Sequence, residues 1–334
     1  MTNPIICEVT RGALVESLHR GAYVVVDSAG AVVAASGDIE RPVYARSSMK
    51  MMQALPLVES GAADAAGFGV RALALAGASH SGEPGHVAMA SEMLQRVGLT
   101  EDALGCGPQW PAEVRDMAAL YATRGRPGRI HNNCSGKHAG FLATARHLGH
   151  DVATYLDPSN PVQREVKAAV EAVAGTVLDA GCCSIDGCSA PTFAMPLVSL
   201  AHAFARLGTG ADLAPSRAEA ARRLMEAAMA EPWLVAGTGR MCTELMALAP
   251  GRIYAKTGAE GVYVGAFPQA GLAVALKCDD GTTRASEALM AALVLRHAAL
   301  PAEAAAQVAG MADRPVTDRN GAEVGRIRGV LAGA

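Results

Sequence analysis

Aromatic residues are scarce, 4% of 334, so the interior must be filled mainly by Ala, Val, Leu and Met. Charged residues are sparse too, at 18% against 51% hydrophobic, a balance that predicts a globular rather than a disordered chain. No Lys/Arg run is long enough to neutralise a phosphate backbone and the net charge is -3, so no nucleic-acid partner is expected. An unbroken apolar stretch of membrane-spanning length is also missing. The longest segment free of Asp, Glu, Lys and Arg, residues 187–205, holds Pro191, Pro196 and His202, so no membrane association is expected. The opening MTNPIICEVTRG lacks the basic-then-apolar layout of a signal peptide, and a soluble, cytoplasmic protein follows as the expectation. Eight cysteines are too few for a disulfide framework at this length. In a reducing compartment they stay thiols, so a special cysteine is to be sought as a ligand or a nucleophile.

What is present falls into blocks. The first forty residues alternate β-rich runs with turn signals (IICEVTRG, LVESLHRG, AYVVVDSAG, AVVAASGD), predicting antiparallel hairpins with Ser28-Ala29-Gly30 as one turn. A helix is predicted over 47–60, capped by Ser47 or Ser48 and kinked or ended by Pro56. Ala-rich helical patterns dominate 70–245, separated by the loops GASHSGEPGH, HNNCSGK and GCCSIDGCSAP. Strands return at RIYAKTG, GVYVGAFP and GLAVALKC, a helix follows over 283–299, and Asn320-Gly321 predicts a closing hairpin. The implied architecture is α/β (α+β), with a central antiparallel sheet built from both termini, 1–45 and 250–334, and a mainly helical lobe over 46–249. A ligand site is expected in the cleft between the lobes, lined by the Gly/Ser/Cys loops.

Ser47 and Lys50, in ARSSMK, stand three apart and would share a helix face, within hydrogen-bond reach of each other. A lysine acts as a base only where burial or a neighbouring cation favours its neutral form, and a second lysine supplies such a cation. Lys256 opens Lys-Thr-Gly late in the chain, a pattern suited to a strand edge that presents N–H groups to a carbonyl oxygen. Ser79, in AGASHSGEPG, adds a second hydroxyl. Each motif alone is weak, because a serine near a lysine is common at helix starts. Their order, Ser-x-x-Lys, a loop serine, then Lys-Thr-Gly, is that of serine β-lactamases and penicillin-binding proteins. The middle motif here, Ser79-His80-Ser81, lacks the Asn of Ser-Asp-Asn, which favours another small acyl substrate over a lactam.

The strings RSSMKMMQALPLVESG, ASHSGEPGH, HNNCSGKHAGFLATARHLG, DPSNPVQ and DGCSAPTFAMPLVSLAHAF resemble those of the Rhizobium etli-type L-asparaginases, over roughly residues 10–330. The resemblance implies a β-lactamase-like fold, hydrolysis of L-asparagine to L-aspartate and ammonia, and a homodimer. It also implies two catalytic pairs, Ser47 with Lys50 and Ser79 with Lys256. The Thr-Gly-Gly-Thr motif of other bacterial asparaginases is absent, since Gly237-Thr238-Gly239 runs into Arg240. Ser47 is taken as the nucleophile, with Ser79 as its rival and Ser48 a weaker one.

Cys134 and Lys137, with Cys188 further on, do not make a zinc signature by spacing, because lysine is a rare ligand that must first lose its proton. The resemblance implies that these three hold a zinc ion, completed by water, and a thiolate pair has the right softness for it. Cys182 and Cys183 are not expected to join them. His131 and His138 flank the cluster and could donate to it, or be ordinary core or surface histidines. For an L-asparagine zwitterion, Asp186 is chosen for the ammonium, Arg46 for the carboxylate, and Asn133 to orient either end. A glutaminase, β-lactamase or esterase would keep the Ser-Lys residues and change the pocket, whereas a zinc-binding regulatory protein would keep only the cysteine cluster.

Overall fold

Val, Ile, Leu and Ala near both ends of the chain build one antiparallel sheet. In this computed structural model, which describes residues 2–331, the early strands are β1 (Ile5–Arg11), β2 (Leu14–Asp27), β3 (Val32–Ser36) and β4 (Pro42–Tyr44). Two short strands lie mid-chain, β5 (Cys183–Ile185) and β6 (Pro191–Pro196). The late strands are β7 (Tyr254–Thr257), β8 (Val262–Phe267), β9 (Leu272–Cys278), β10 (Asp313–Thr317) and β11 (Glu323–Gly329).

Two units divide the chain. The first comprises residues up to Ser48, Ala194–Ala211 and the chain from Leu245 onward. Its sheet runs β10-β11-β1-β2-β9-β8-β7, with β3 also paired to β2. Strands from the two ends therefore meet at its centre, where Val24, Val25 and Val26 of β2 face Ala275, Val274 and Ala273 of β9. All six are fully buried, so both faces of these strands are covered. Helix Leu197–Thr209 packs on β2, β8 and β9, and helix Thr283–His297 on β1, β8, β9 and β11. The mixed α/β architecture and the sheet drawn from both termini are as expected.

The predicted turns at 28–30 and 320–321 form, closed by Asp27 N to Ala31 O at 3.0 Å and Asp318 N to Ala322 O at 2.9 Å. Two local expectations are corrected. LVESLHRG and AYVVVDSAG are one strand, β2, because Gly21 is not a turn residue. A Cβ there would strike the Lys277 carbonyl, so glycine lets β2 pass its neighbour closely. The helix expected from residue 47 starts at Lys50. Arg46–Met49 is a 3₁₀ turn, Met49 sits at the N-cap with no side-chain cap, and the helix runs through Pro56 to Glu59. Every residue of that helix except Glu59 is buried, so packing outweighs the one backbone donor that Pro56 removes.

The second unit, Met49–Phe193 and Asp212–Glu244, is mainly helical. Helix Lys50–Glu59 packs against helices Ser135–Leu148, Pro161–Ala174 and Pro215–Ala230. The sequence signals are plain at Pro161–Ala174: Asn160 caps Val162 N at 3.0 Å, Pro161 opens the first turn, and Gly175 closes it at φ +63°. Gly136 lets helix Ser135–Leu148 approach helix Val70–Ala76, since a Cβ there would meet the Leu75 carbonyl. The loops that precede and follow these helices, 131–134 and 77–83, are thereby set side by side; His80 N donates to Asn133 O at 3.2 Å. Among the described residues no helix is long and apolar enough to cross a membrane.

Candidate active site

In the sheet unit the Ser47 turn meets Lys-Thr-Gly. β7, an edge strand, carries Lys256 and ends at Thr257; the N–H of the next residue, Gly258, donates to Val262 O at 2.7 Å. A Cβ on Gly258 would lie 2.8 Å from Ala45 O and 3.3 Å from Ser48 N, so only a glycine lets the strand end abut the turn. Arg46 holds φ +51°, a left-handed conformation uncommon for a residue with a side chain, and it redirects the chain just before half-buried Ser47. Ser48 is committed elsewhere: it is fully buried and its hydroxyl donates to Ala45 O at 2.6 Å. Lys256 is fully buried and donates from Nζ to Thr257 O at 2.8 Å.

In the helical unit, fully buried Lys50 reaches into the Ser79 loop. Its Nζ donates to Ala78 O at 2.7 Å and Asn133 O at 3.4 Å. Because the Ala78 carbonyl belongs to the peptide bond of Ser79, the amine lies one residue from that hydroxyl. Segment 233–238 braces the loop: Ser79 N donates to Val235 O at 2.9 Å, Ser81 Oγ to Ala236 O at 2.8 Å, and Glu83 accepts from Thr238 N and Oγ1 at 2.8 and 2.7 Å. His80 accepts from Gly82 N on Nδ1, so its Nε2–H donates to Ser135 Oγ at 3.0 Å.

Cys134, Lys137 and Cys188 come together, all buried. Lys137 Nζ lies 3.2 Å from Cys188 Sγ. The hydrogen bond from the Cys188 thiol holds Cys134 well below the usual thiol range, against burial and with help from the Lys50 and Lys137 charges. The same bond, with burial, pushes Cys188 up. Burial opposes the Lys137 charge, yet Cys188, Cys134 and Asp186 raise it overall and keep it an ammonium. Cys134 Sγ donates to Asn133 Oδ1 at 2.9 Å.

Asn133 and Asp186 border this cluster, with Asp186 also accepting from Gly187 N at 2.8 Å. In the helical unit Lys50 thus reaches the Ser79 loop and Asn133, and Cys134, Lys137, Asp186 and Cys188 cluster; in the sheet unit Arg46 and Ser47 sit in the turn abutted by Gly258, two residues past Lys256. The flanking histidines are engaged elsewhere: His131 accepts from Gly128 N at 3.1 Å, and His138 Nδ1 meets the Tyr155 hydroxyl at 2.6 Å. Cys182 and Cys183 are part-exposed, and Cys183 donates to Asp179 O.

One constellation escaped sequence reasoning. His19, Cys278 and Asp280 bring ligand-type atoms within 4.8 Å of one another. Their sequence separation leaves no motif to find. Arg284 Nε donates to His19 Nε2 at 3.1 Å, which puts the ring proton on Nδ1, donating to Asp280 at 2.6 Å. A metal on Nδ1 would move that proton to Nε2, against the Arg284 donor, so this trio suits a hydrogen-bonded clasp better than a metal centre.

Comparison with known proteins supplies the family. A search of curated proteins returns no match. Among solved structures, Mglu matches at 16% identity and a TM-score of 0.43 over 80% of this chain; the chain spans only 64% of Mglu's length. A β-lactamase from Mycobacterium bovis matches at 16% identity and 0.42, over 83% of this chain and 95% of that one. A β-lactamase from Burkholderia vietnamiensis matches at 16% and 0.37, over 88% and 92%. Likenesses this distant carry no argument about chemistry. The L-asparaginase II family, by contrast, matches residues 7–329, nearly the whole chain, and the chain belongs to that family.

Proposed function

We propose that the protein hydrolyses the side-chain amide of L-asparagine to L-aspartate and ammonia through an ester on Ser47. The Ser47 oxygen attacks the amide carbon as its proton passes to Lys50; the C–N bond breaks, the nitrogen takes a proton and leaves as ammonia, and a β-aspartyl ester remains. Water then attacks the ester, giving its proton to the same relay and returning one to Ser47. Ser79 and Lys256 carry protons in both halves. The observation that supports this most is the Lys50 amine on the carbonyl adjoining Ser79, three residues along the chain from Ser47. Arg46 would take the substrate carboxylate and Asp186 its ammonium, with Asn133 orienting either end. A cytoplasmic homodimer acting on a free small molecule belongs to the same reading.

The test is ammonia release from L-asparagine and L-glutamine by the purified protein. Release from asparagine well above that from glutamine is expected. Equal or faster release from glutamine would make it a glutaminase, and release from neither would overturn the substrate and send the search to lactams and esters.

Cys134, Lys137 and Cys188 fit zinc: two sulfurs and an amine lie together, and one sulfur is already favoured as thiolate. A bound zinc ion would supply positive charge for orienting substrate, and Lys137 would give up a proton to bind it. After dialysis from zinc-containing buffer, about one zinc per chain is expected by elemental analysis, falling to trace in Cys188→Ser. Wild-type protein that retains none would remove zinc from the reading.

A further inference from the structure

We propose that the cavity between helices Pro84–Arg96 and Val114–Arg124 binds a small organic cation with an apolar body. Its volume is about 370 Å³, at the small-ligand end of natural sites. Val87 and Ala88 line it from one helix, Ala119 and Leu120 from the other. Helix Val114–Arg124 buries none of its residues, although Asp116, Ala119, Leu120 and Thr123 share the face that lines this space. An apolar face of that kind would ordinarily close on its neighbour. Here the wall is anchored apart from it: Ala112 N donates to Ser81 O at 2.9 Å, and the Trp110 and Tyr121 rings pack at 6.2 Å.

The polar groups of the cavity are few, and they set the ligand's chemistry. The Asp116 side chain is 13% exposed, and its ion-pair partner Arg115 stands 3.9 Å away and is 94% exposed, so solvent screens the pair. An ammonium in the cavity would meet that carboxylate with less water between them. His131, 7% exposed, accepts from Gly128 N on Nδ1 and so presents an Nε2–H donor. Burial holds it below the usual histidine range, so at neutral pH it adds no charge against a cation. A free arylalkyl amine needs only Asp116; an apolar amino acid would also offer His131 a carboxylate. Gly82 and Pro84 line the same cavity, three and five residues after Ser79, so occupancy bears on the loop that presents that hydroxyl. That coupling rests on the reading of Ser79 above; the binding does not.

Calorimetric titration of the whole chain with phenethylamine, phenylalanine and neutral 2-phenylethanol tests it. Saturable one-to-one binding of phenethylamine is expected, at least about tenfold tighter than the alcohol and weakened to a similar degree by Asp116→Asn. Tighter phenylalanine than phenethylamine binding would identify the amino acid as the natural class. Ala88→Trp should fill the space and abolish binding, with unchanged thermal unfolding showing that the fold is intact. Failure of both phenethylamine and phenylalanine to saturate, or equal binding to wild type and both variants, would overturn the proposal. The heat of binding does not depend on turnover, so protein inactive on asparagine that still binds the amine leaves the inference standing.

Discussion

Ser47→Ala is expected to lower asparagine turnover by on the order of 10⁴ to 10⁶, the loss seen when a serine nucleophile is removed from a site whose other parts remain. The change deletes one hydroxyl from a half-buried turn whose shape is held by Arg46 and by Gly258 against Ala45, so unfolding temperature should stay near wild type. Ser79→Ala should cost less, about 10² to 10⁴, because it removes a proton carrier rather than the bond-forming atom. Rapid quenching during turnover, followed by peptide mapping, decides between them: the β-aspartyl mass should ride on the peptide containing Ser47. An ester on Ser79 would exchange the two roles, and full activity in Ser47→Ala would end the acyl-enzyme assignment for that residue.

The second large effect is expected from Lys50→Met. Methionine matches the length of the stem but cannot accept the serine proton, and kcat should fall by about 10² to 10⁴ with KM little changed. Stability should move modestly, since two opposing terms are altered. The Ala78 carbonyl loses its donor, about 1–3 kcal/mol if left unsatisfied, and the Asn133 carbonyl keeps the His80 N–H, while the burden of a buried amine disappears. Lys50→Arg should not restore activity, because a guanidinium keeps its proton. A kcat within a few-fold of wild type in Lys50→Met would remove Lys50 from the proton path.

Features with a local signature were legible in the sequence: the strands, the Asn320-Gly321 hairpin and the Pro161–Ala174 helix each announce themselves by alternation, turn chemistry or caps. The Ser47, Ser79 and Lys256 motifs were legible by order, and the cysteine cluster only by resemblance. Residues 187–205 hid their division into β6 and helix Leu197–Thr209, since a continuous apolar run has no period by which to tell strand from helix. Gly21 read as punctuation because what demands glycine there is a carbonyl on β9, far along the chain. His19 with Cys278 and Asp280 was hidden for the same reason: its members become neighbours only through the pairing of β2 with β9. Nor could any pattern reveal a cavity, which depends on where two helices stop approaching.

The joining of both chain ends in one sheet has a consequence for biosynthesis. β1 pairs with β11 and β2 with β9, and the β7 end that abuts the Ser47 turn lies about 200 residues from it, so these contacts have a high sequence separation and should form slowly. A nascent chain that has emerged only as far as its helices already holds the Lys50, Ser79 and cysteine groups, yet lacks the strand that carries Lys256. On the roles proposed above for Ser47 and Lys256, amide hydrolysis would be withheld from the ribosome-bound chain until β7 is out, and the growing polypeptide would pass through synthesis with its proton relay incomplete.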